Sequence, residues 1–311
     1  MKAARITSFG HADELRIDDI EMPSLSRACD VLVRVVASGV NAIEWKIRSG
    51  SMGKALGRSL PATLGWECAG VVEAVGDAAE GLRVGDAVHG YPEFTRDGTH
   101  AEYIVVNAAQ LALKPSSLSF DQAAAVPMTA QAAWSALEAA GEVAGKRALV
   151  NGAGGAVGHW LVQLAKQRGA QVTATASRGD CAKVAALGAD RTLDYRVERF
   201  EDAGMFDLVF DLVGGATQTR SWSALGRGGM LVSLTQPPDE AKARETGATG
   251  RFVFTQPRGA VLAEIDTLIE SGRLVPLDVA EWRPLEEIGL VHAEGEAGKG
   301  RGKTVLAVTA G

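Results

Sequence analysis

Short runs of alternating or β-branched residues, separated by glycine, fill the chain up to about residue 120. Apolar residues recur in the pattern of short strands at 31–39, 69–76, 86–90 and 101–107. Because turn residues separate these runs, the segment is predicted to consist mainly of short strands joined by turns.

From Asp121 onward the pattern changes, and helical segments alternate with strands. A helical region at 121–141 is interrupted at Pro127, and a buried strand at 147–151 precedes a helix at 156–169. Further strands are predicted at 171–176, 191–194, 206–211 and 229–234, with a last one at 252–255. Strand and helix alternating at this spacing predict an α/β domain with a doubly wound parallel sheet.

The C-terminal part combines a predicted helix at 261–272 with a tail at 274–308 that is assigned to short strands and turns. We expect this part to complete the first domain. The glycine-rich run 295–303 is short enough to be a single surface loop.

Composition and charge narrow the class of protein. Among the 311 residues, 46% are hydrophobic and 23% are charged, which is typical of a globular protein with a large core. The net charge of −6 and the scattered Lys and Arg side chains argue against binding to nucleic acid or anionic lipid. The N-terminal segment lacks the continuous apolar core of a signal peptide, and no segment has the length of a membrane span, so we expect a cytoplasmic protein with a small-molecule partner.

The three cysteines and five histidines show no metal-binding spacing. Cys29, Cys68 and Cys181 are odd in number and far apart, so they are interpreted as buried, reduced thiols. The histidines are dispersed and are expected to be structural or on the surface; they are His11, His89, His100, His159 and His292.

The strongest chemical signal is the segment 148–166, where a buried strand runs into a glycine-rich turn and then a helix with one apolar face. This geometry presents backbone N–H groups and the positive end of a helix dipole to a pyrophosphate. Aligned on its last glycine, the dinucleotide fingerprint GxGxxG falls on Ala153, Gly155 and Gly158. The residues predicted to contact the cofactor here are Gly152, Ala153, Gly155, Ala156, Val157 and Gly158.

The end of the next strand indicates which dinucleotide binds. An acidic residue there would hold the ribose 2′-hydroxyl of NAD, but the strand ends in Ser177 and Arg178. The Arg178 guanidinium suits a 2′-phosphate, although a solvated surface arginine is the alternative. Asp180 is interpreted as a helix cap. NADPH is therefore favoured over NADH.

Motifs along nearly the whole chain carry a family resemblance. They are GVNAIEWKIRSG (39–50), LGWECAGVVEAVG (64–76), GLRVGDAVHG (81–90), AVP (125–127), NGAGGAVG (151–158), LGAD (187–190) and GRGKTVL (300–306). In order and spacing they resemble the zinc-independent branch of the medium-chain dehydrogenase/reductase superfamily, especially NADPH:quinone oxidoreductases.

The resemblance implies a GroES-like, mainly-β catalytic domain at 1–122 and 259–311 and a Rossmann NADPH-binding domain at 123–258. It also implies an active cleft between the domains and a homodimer.

The same resemblance bears on zinc. Zinc-dependent members carry a cysteine and a histidine where this chain has Asn41 and Trp66, and a catalytic zinc needs three protein ligands. We therefore expect no metal. Without a Lewis acid to polarise the alcohol, oxidation of an alcohol is disfavoured. Hydride transfer to a quinone or other α,β-unsaturated carbonyl stays feasible.

Candidate catalytic residues follow from the resemblance. Asn41 is expected near the nicotinamide, where its amide could donate to the developing oxyanion, or it could simply fix a turn. Lys46 could supply a proton or a positive field, or lie on an exposed helix face. Trp66 and Tyr91 are the candidate contacts to a flat acceptor, and Glu67 is expected to be a structural carboxylate.

Further cofactor contacts are also implied. Thr129 is one helical turn before Ala132, which takes the family's common threonine position, and Tyr195 matches a residue at the adenosine phosphate end. Strand tips of a parallel sheet place Val213, Leu234 and Thr235 beside the nicotinamide ribose. Weaker candidates are Phe254 and the basic residues Arg301 and Lys303, which could equally solvate a loop.

Three functions are compatible with these residues. The leading one is an NADPH-dependent quinone oxidoreductase (EC 1.6.5 type). The second is an enone or enoyl-thioester reductase, which shares the hydride step but protonates carbon. The third is an NADPH-binding protein with little turnover.

Overall fold

A computed structural model of the protein describes residues 1–53, 56–300 and 302–309. The chain forms two compact units. One comprises Met1–Met128 and Gln256–Gly311, and the other comprises Thr129–Thr255.

The first unit contains mainly strands. Its strands are β1 (Lys2–Ile6), β2 (Arg16–Asp19), β3 (Asp30–Gly39), β4 (Ala62–Thr63), β5 (Cys68–Val75), β6 (Ala87–Gly90), β7 (Tyr103–Asn107) and β8 (Leu111–Leu113). Its first two helices are α1 (Ala42–Arg48) and α2 (Phe120–Ala123), and α3 (Pro127–Ala140) continues into the second unit. The early runs predicted as strands at 31–39, 69–76, 86–90 and 101–107 are therefore confirmed.

The second unit alternates strands and helices. Its strands are β9 (Arg147–Asn151), β10 (Gln171–Ala176), β11 (Arg191–Asp194), β12 (Phe206–Asp211), β13 (Leu225–Ser233) and β14 (Thr249–Phe252). Its helices are α4 (Ala156–Gln167), α5 (Cys181–Ala186), α6 (Gly215–Ser221) and α7 (Glu240–Thr246).

The C-terminal part returns to the first unit. It contains α8 (Gly259–Glu270), β15 (Val279–Pro284), α9 (Ile288–Glu296) and β16 (Lys303–Ala307).

Within the fully described segment 129–255, six strands pair in parallel in the order β11-β10-β9-β12-β13-β14. The order reverses between β9 and β12, as in a doubly wound dinucleotide-binding sheet. This confirms the predicted fold class. The strands are apolar along most of their length because helices cover both faces of such a sheet.

In the first unit, β15, β16, β3, β5, β6 and β8 form one sheet in that order, with β7 also paired to β3. Strand β16 pairs antiparallel with β3, so the C-terminal tail contributes to this sheet. Buried valines of β3 form the centre of the core beneath it, together with Cys68, Ile104 and Leu111. A smaller sheet joins β2, β1 and β4.

Two local predictions are wrong. The last strand of the parallel sheet is Thr249–Phe252 and not 252–255, because pairing with β13 selects a polar edge segment over the apolar run. The tail also contains helix α9, which has glycines at 289 and 295 and so lacks a helical sequence signal. Trp45 packs where a Cβ at Gly295 would lie, 2.9 Å away, so tertiary packing requires that glycine.

The glycine-rich run 295–303 is a loop only in part. Helix α9 extends to Glu296, and Lys303 begins strand β16 with its side chain buried. Within the described residues, no helix combines the length and apolar character needed to cross a membrane.

Candidate cofactor and catalytic sites

The glycine-rich turn joins β9 to α4 in the second unit. Gly152 has a φ of +85°, a conformation that favours glycine. A Cβ at Gly158 would lie 2.5 Å from the Ala153 Cα, so this glycine allows the helix to approach the turn closely. The predicted strand, turn and helix are therefore present, with Gly155 at the N-cap of α4.

Gly155 differs from these two glycines. A Cβ at this position would meet only the Gly152 carbonyl oxygen, at 3.5 Å, and its φ of −83° suits any residue. The protein itself does not require glycine here. The backbone N–H groups at the start of α4 consequently face space that a ligand phosphate could fill.

A cavity of about 440 Å³ opens at this turn. Its lining residues include five that the sequence predicted as cofactor contacts: Gly152, Gly155, Ser177, Tyr195 and Val213. The structure thus brings together residues from the ends of three strands and the glycine turn, which is where ligands of doubly wound sheets bind.

Other cofactor candidates of this unit lie outside the lining of the cavity. Ala153 is buried beneath the turn, and Arg178 is exposed beyond the tip of β10. The remaining ones in segment 129–255 are Thr129, Ala156, Val157, Gly158, Leu234, Thr235 and Phe254. Their roles stay predictions.

The lining contains polar residues that the sequence did not single out. Glu198 and Arg220 both line the cavity, and Arg220 forms a two-point ion pair with Glu201 at 2.6 and 2.7 Å. Glu198 lies three residues after Tyr195, which was predicted as a cofactor contact, so its position in the sequence could have indicated a place in the same site. No sequence pattern indicated Arg220, because only folding brings α6 to this cavity.

Asp180 also lines the cavity. It occupies the N-cap position of α5, as predicted, but its carboxylate makes no cap bond to that helix. It accepts a hydrogen bond of 2.5 Å from the Ser177 hydroxyl instead, and it lies 3.1 Å from where a Gly154 Cβ would be. The cavity therefore has a carboxylate close to the glycine turn.

Asp211 organises the tips of β12 and β13. One carboxylate oxygen accepts hydrogen bonds from the Val213 and Gly214 amides at 3.1 and 2.8 Å, and the other accepts one from the Thr235 hydroxyl at 3.2 Å. The Leu234 amide donates to the Asp211 carbonyl at 3.1 Å. The carboxylate of Asp211 thus binds two of the residues that were predicted separately, Val213 and Thr235, and its backbone carbonyl binds a third, Leu234.

Thr129 and Phe254 have different surroundings. The buried Thr129 hydroxyl accepts a hydrogen bond of 3.0 Å from the Trp160 indole N–H. Phe254 is half-buried and follows β14.

In the first unit, strand register brings Asn41, Glu67 and Lys303 together. Val305 pairs with Gly39, and continuing this register by two residues brings Lys303 opposite Asn41. On the other side of β3, the Gly39 amide donates to the Glu67 carbonyl at 2.9 Å. Three side chains distant in sequence therefore meet at one end of the sheet.

Glu67 is a structural carboxylate, as expected. Its Oε1 accepts the Met128 amide at 2.9 Å, and its Oε2 accepts Asn41 Nδ2 at 3.0 Å and the Lys303 ammonium. All of these groups are buried except Asn41 and Met128, which are half-buried. The interpretation of Lys303 as a solvated loop residue is wrong, and Arg301 lies outside the described residues.

Trp66 and Tyr91 are both fully buried and flank Phe94, with ring centroids 5.3 and 6.4 Å from it. Among the described residues, neither the Trp66 indole N–H nor the Tyr91 hydroxyl has a hydrogen-bond partner. Burial raises the pKa of Tyr91 far above its usual range, so the phenol stays protonated. Lys46 is exposed on α1. The catalytic and substrate roles of these residues stay predictions.

His100 and His292, far apart in sequence, converge on Glu44. The Nε2 atoms of His100 and His292 lie 2.9 and 3.3 Å from Glu44 Oε2, and all three side chains are buried. Burial alone would raise the pKa of Glu44, but the two histidines outweigh it and lower that pKa to about 2. Sequence spacing gave no sign of this cluster.

These three residues have the atoms of a metal site, with possible ligand atoms within 4.8 Å of one another. However, Arg48 Nε donates to His292 Nδ1 at 3.3 Å, so the ring hydrogen of neutral His292 is on Nε2 and faces Glu44. A metal on Nε2 would require Nδ1 to carry the hydrogen and face the Arg48 donor. The arrangement therefore fits a hydrogen-bonded ionic cluster better than a metal site.

Comparison with known proteins identifies the family. Residues 27–116 match the alcohol dehydrogenase GroES-like domain, and residues 187–306 match the zinc-binding dehydrogenase family. The chain is 35% identical to 2-methylene-furan-3-one reductase of Solanum lycopersicum, over 98% of this chain and 79% of the relative. It is 36% identical to the chloroplastic NADPH-dependent alkenal/one oxidoreductase of Arabidopsis thaliana, over 89% of this chain and 71% of the relative.

Among solved structures, the quinone oxidoreductase from Coxiella burnetii superposes with a TM-score of 0.92 at 31% identity, covering 99% of both chains. The agreement extends over the GroES-like and the Rossmann-type parts. On these grounds, the chain belongs to the medium-chain dehydrogenase/reductase superfamily and is quinone oxidoreductase-like.

Proposed function

We propose that the protein is an NADPH-dependent oxidoreductase that transfers hydride to a quinone or another α,β-unsaturated carbonyl. The observation that carries the proposal is the cavity at the glycine turn, with Gly155 leaving open space before the helix N-terminus. The names of the relatives support the chemistry, since they include alkenal, enone and quinone reductases.

The residues that line this cavity, with others predicted around it, fit a dinucleotide. The amides at the start of α4 would hold the pyrophosphate, and Ser177, Arg178 and Tyr195 would contact the adenosine end. Gly152, Ala153, Ala156, Val157 and Gly158 would shape the turn. When bound, NADPH supplies the hydride. We assign Thr129, Val213, Leu234, Thr235 and Phe254 to the nicotinamide end.

In the first unit, Asn41 is the proposed hydrogen-bond donor to the acceptor oxygen and a contact to the cofactor, and Lys46 is the proposed source of positive field or a proton. Trp66 and Tyr91 would border the acceptor. Under this proposal, residues 1–122 and 259–311 form the catalytic domain, and residues 123–258 form the NADPH-binding domain.

We further propose that catalysis needs no zinc. Asn41 and Trp66 take the positions of two zinc ligands, and a buried ammonium, that of Lys303, already neutralises Glu67 beside them. A second cation at this place would meet electrostatic repulsion. Activity should therefore be unchanged by a chelator and should gain nothing from added zinc.

A homodimer in a reducing compartment such as the cytoplasm completes the proposal. Strand β14 pairs with β13 on one side only within the fully described sheet, and its residues are exposed, so its edge is open to a second copy. The three cysteines are free, as expected where thiols stay reduced. The Val253 amide donates to the Ser233 carbonyl of β13, so the alternate amide of Phe252 faces the open edge. Phe252→Pro should weaken pairing along this edge, and light scattering would measure the loss of dimer.

The function is tested by incubating the protein with NADPH and a simple quinone, an enone or an enoyl thioester while following nucleotide absorbance. NADH and a saturated ketone serve as controls. We expect oxidation of NADPH with a quinone or enone and little with the saturated ketone. Oxidation with none of the conjugated acceptors would overturn the proposal.

An enone or enoyl-thioester reductase is the second candidate, and the names of the two plant relatives favour the enone. Faster turnover of the enone than of the quinone would select it. Tight NADPH binding without turnover on the whole panel would instead indicate an NADPH-binding protein.

A further inference from the structure

Lys303 is a buried lysine whose three hydrogen-bond donors are all used. Its ammonium donates to the Val40 carbonyl at 3.1 Å, to Asn41 Oδ1 at 2.9 Å and to the Glu67 carboxylate. A lysine ammonium has three N–H donors and no acceptor, so each of its hydrogens has a partner here. The ammonium is therefore held in one place by three groups around the end of β3.

The chemistry of its neighbours leaves Asn41 one orientation. Lys303 can only donate, so the amide oxygen of Asn41 must face it. The ionised carboxylate of Glu67 can only accept, so the amide nitrogen must face that side, as the 3.0 Å contact shows. The reverse orientation would oppose donor to donor at Lys303 and acceptor to acceptor at Glu67, so the amide is held one way round.

This orientation leaves one N–H of Asn41 available. Nδ2 carries two hydrogens, and Glu67 accepts one of them; among the described residues no acceptor takes the other. The side chain is half-buried, not enclosed, so a ligand can reach it. The backbone of Asn41 is also fixed, since its amide donates to Glu44 Oε1 at 3.1 Å at the start of α1.

The space for this arrangement is provided by Gly39. A Cβ at that position would lie 2.5 Å from the Ala124 carbonyl oxygen, 2.7 Å from Glu67 Oε2 and 3.2 Å from the Lys303 Cε. Any larger residue would displace the backbone at Ala124, the carboxylate or the lysine. The strand end is thus shaped around the pair.

We propose that Lys303 is a positioning residue, which locks the Asn41 amide so that its second N–H is presented to the carbonyl oxygen of the bound acceptor. The proposal rests on the proposed function and assigns Lys303 a part in it. A locked donor needs no reorientation as negative charge develops on the oxygen, which is the basis of its contribution to the rate.

The first test does not require activity. The chain contains only three asparagines, Asn41, Asn107 and Asn151, so selective 15N-asparagine labelling yields three side-chain amide pairs in the NMR spectrum. In the wild type, we expect the two Asn41 amide hydrogens to have shifts displaced from those of a solvent-exposed asparagine and to exchange slowly with water. In Lys303→Met, we expect this pair to broaden or to move toward the shifts of a solvent-exposed amide.

The other two asparagines are internal controls. Asn107 and Asn151 bond to Cys29 and Ser221, outside the Lys303 network, and their amide pairs should not move. Lys114→Met is the matched variant, because Lys114 also donates to backbone carbonyls of this unit but does not touch Asn41. An Asn41 pair that keeps its wild-type shifts and linewidth in Lys303→Met would overturn the proposal.

Removing Lys303 leaves the buried Glu67 charge unpaired, and the variant could fail to fold. The double variant Lys303→Met with Glu67→Gln removes both charges. If the single variant is unfolded, the spectrum of this double variant is compared with that of Glu67→Gln alone, because Glu67 also bonds to Asn41, and the expected and overturning results are the same.

The second test is a double-mutant cycle on kcat/KM for the acceptor. Loss of one oxyanion donor lowers the rate roughly 100-fold. The kcat/KM of Asn41→Ala should therefore fall by about that factor, and the kcat/KM of Lys303→Met should fall by a similar or smaller factor. If Lys303 acts through Asn41, the kcat/KM of the double variant Asn41→Ala with Lys303→Met should agree with that of Asn41→Ala to within about twofold.

Losses that multiply, to about 10⁴-fold when both singles are about 100-fold, would show a merely structural role for Lys303 and overturn the proposal. Thermal unfolding and NADPH affinity of each variant confirm that the protein is folded. If the wild type turns over no acceptor, the proposed function fails, and the NMR result still decides whether Lys303 positions Asn41.

Discussion

Gly155 and Gly158 lie three residues apart at the glycine turn. Replacing each by alanine should separate an effect on cofactor binding from an effect on the stability of the protein. At Gly155, the new methyl meets only the Gly152 carbonyl oxygen at 3.5 Å, and the φ of −83° is compatible with alanine. At Gly158, it would lie 2.5 Å from the Ala153 Cα and 2.7 Å from two carbonyl oxygens. Gly155→Ala therefore affects the ligand space, and Gly158→Ala affects the protein itself.

The magnitudes follow from these contacts. Gly155→Ala should cost about 0.5–1 kcal/mol of unfolding free energy, because alanine is a poorer N-cap than glycine. Gly158→Ala forces overpacking worth about 1–3 kcal/mol, of which the better helix propensity of alanine offsets up to about 1 kcal/mol. The methyl at residue 155 should weaken NADPH binding by tenfold or more, which is about 1.4 kcal/mol.

The assay combines NADPH titration by fluorescence with thermal unfolding of the two variants and the wild type. We expect Gly155→Ala to lose affinity, with a fall in unfolding temperature no larger than its cost of about 0.5–1 kcal/mol implies. Gly158→Ala should lower the unfolding temperature further, since about 1 kcal/mol corresponds to roughly 2–4 °C even in domains of about 150–250 residues. Wild-type NADPH affinity in Gly155→Ala would refute the assignment of this open space to the cofactor.

Three other predictions concern Trp66, Arg178 and His292. Trp66→Ala should lower the unfolding free energy by about 3–5 kcal/mol because the indole is fully buried, and unchanged quinone kinetics would reduce its role to core packing. Arg178→Ala should weaken NADPH binding about tenfold by losing a 2′-phosphate contact, and NADH binding, measured in parallel, should stay unchanged. Burial lowers the pKa of His292 despite the opposing effect of Glu44, so the unfolded chain binds a proton that the folded chain does not. Stability should therefore fall as the pH drops below about 6.5, and urea unfolding should show a weaker pH dependence in His292→Gln.

Local sequence patterns were sufficient for most of the secondary structure. The strand at 147–151, the glycine turn and the helix after it depend on short-range rules of apolar periodicity and glycine conformation, which act within a few residues. Alternation of such segments also predicted the parallel sheet, because parallel strands need a crossover connection.

The errors occurred where partners distant in the chain decide the conformation. The predicted position of strand β14 was three residues too late in the chain, because pairing with β13, and not the apolar character of the segment, decides which residues form the strand. Helix α9 contains two glycines and forms because its surroundings, including Trp45, pack against it. In both cases tertiary contacts outweigh a weak local preference.

The sequence by itself determined the family, the two kinds of fold and the position of the glycine turn, because these depend on local pattern and spacing. Only the tertiary structure decided which polar groups meet: Asp211 with the tips of two strands, Glu44 with two histidines, and Lys303 with Asn41 and Glu67. The sequence around a charged side chain does not indicate which group it will bind. Its burial and its bonds are set by strand register and by packing between segments that are distant in the chain, which for Lys303 and Glu67 are 236 residues apart.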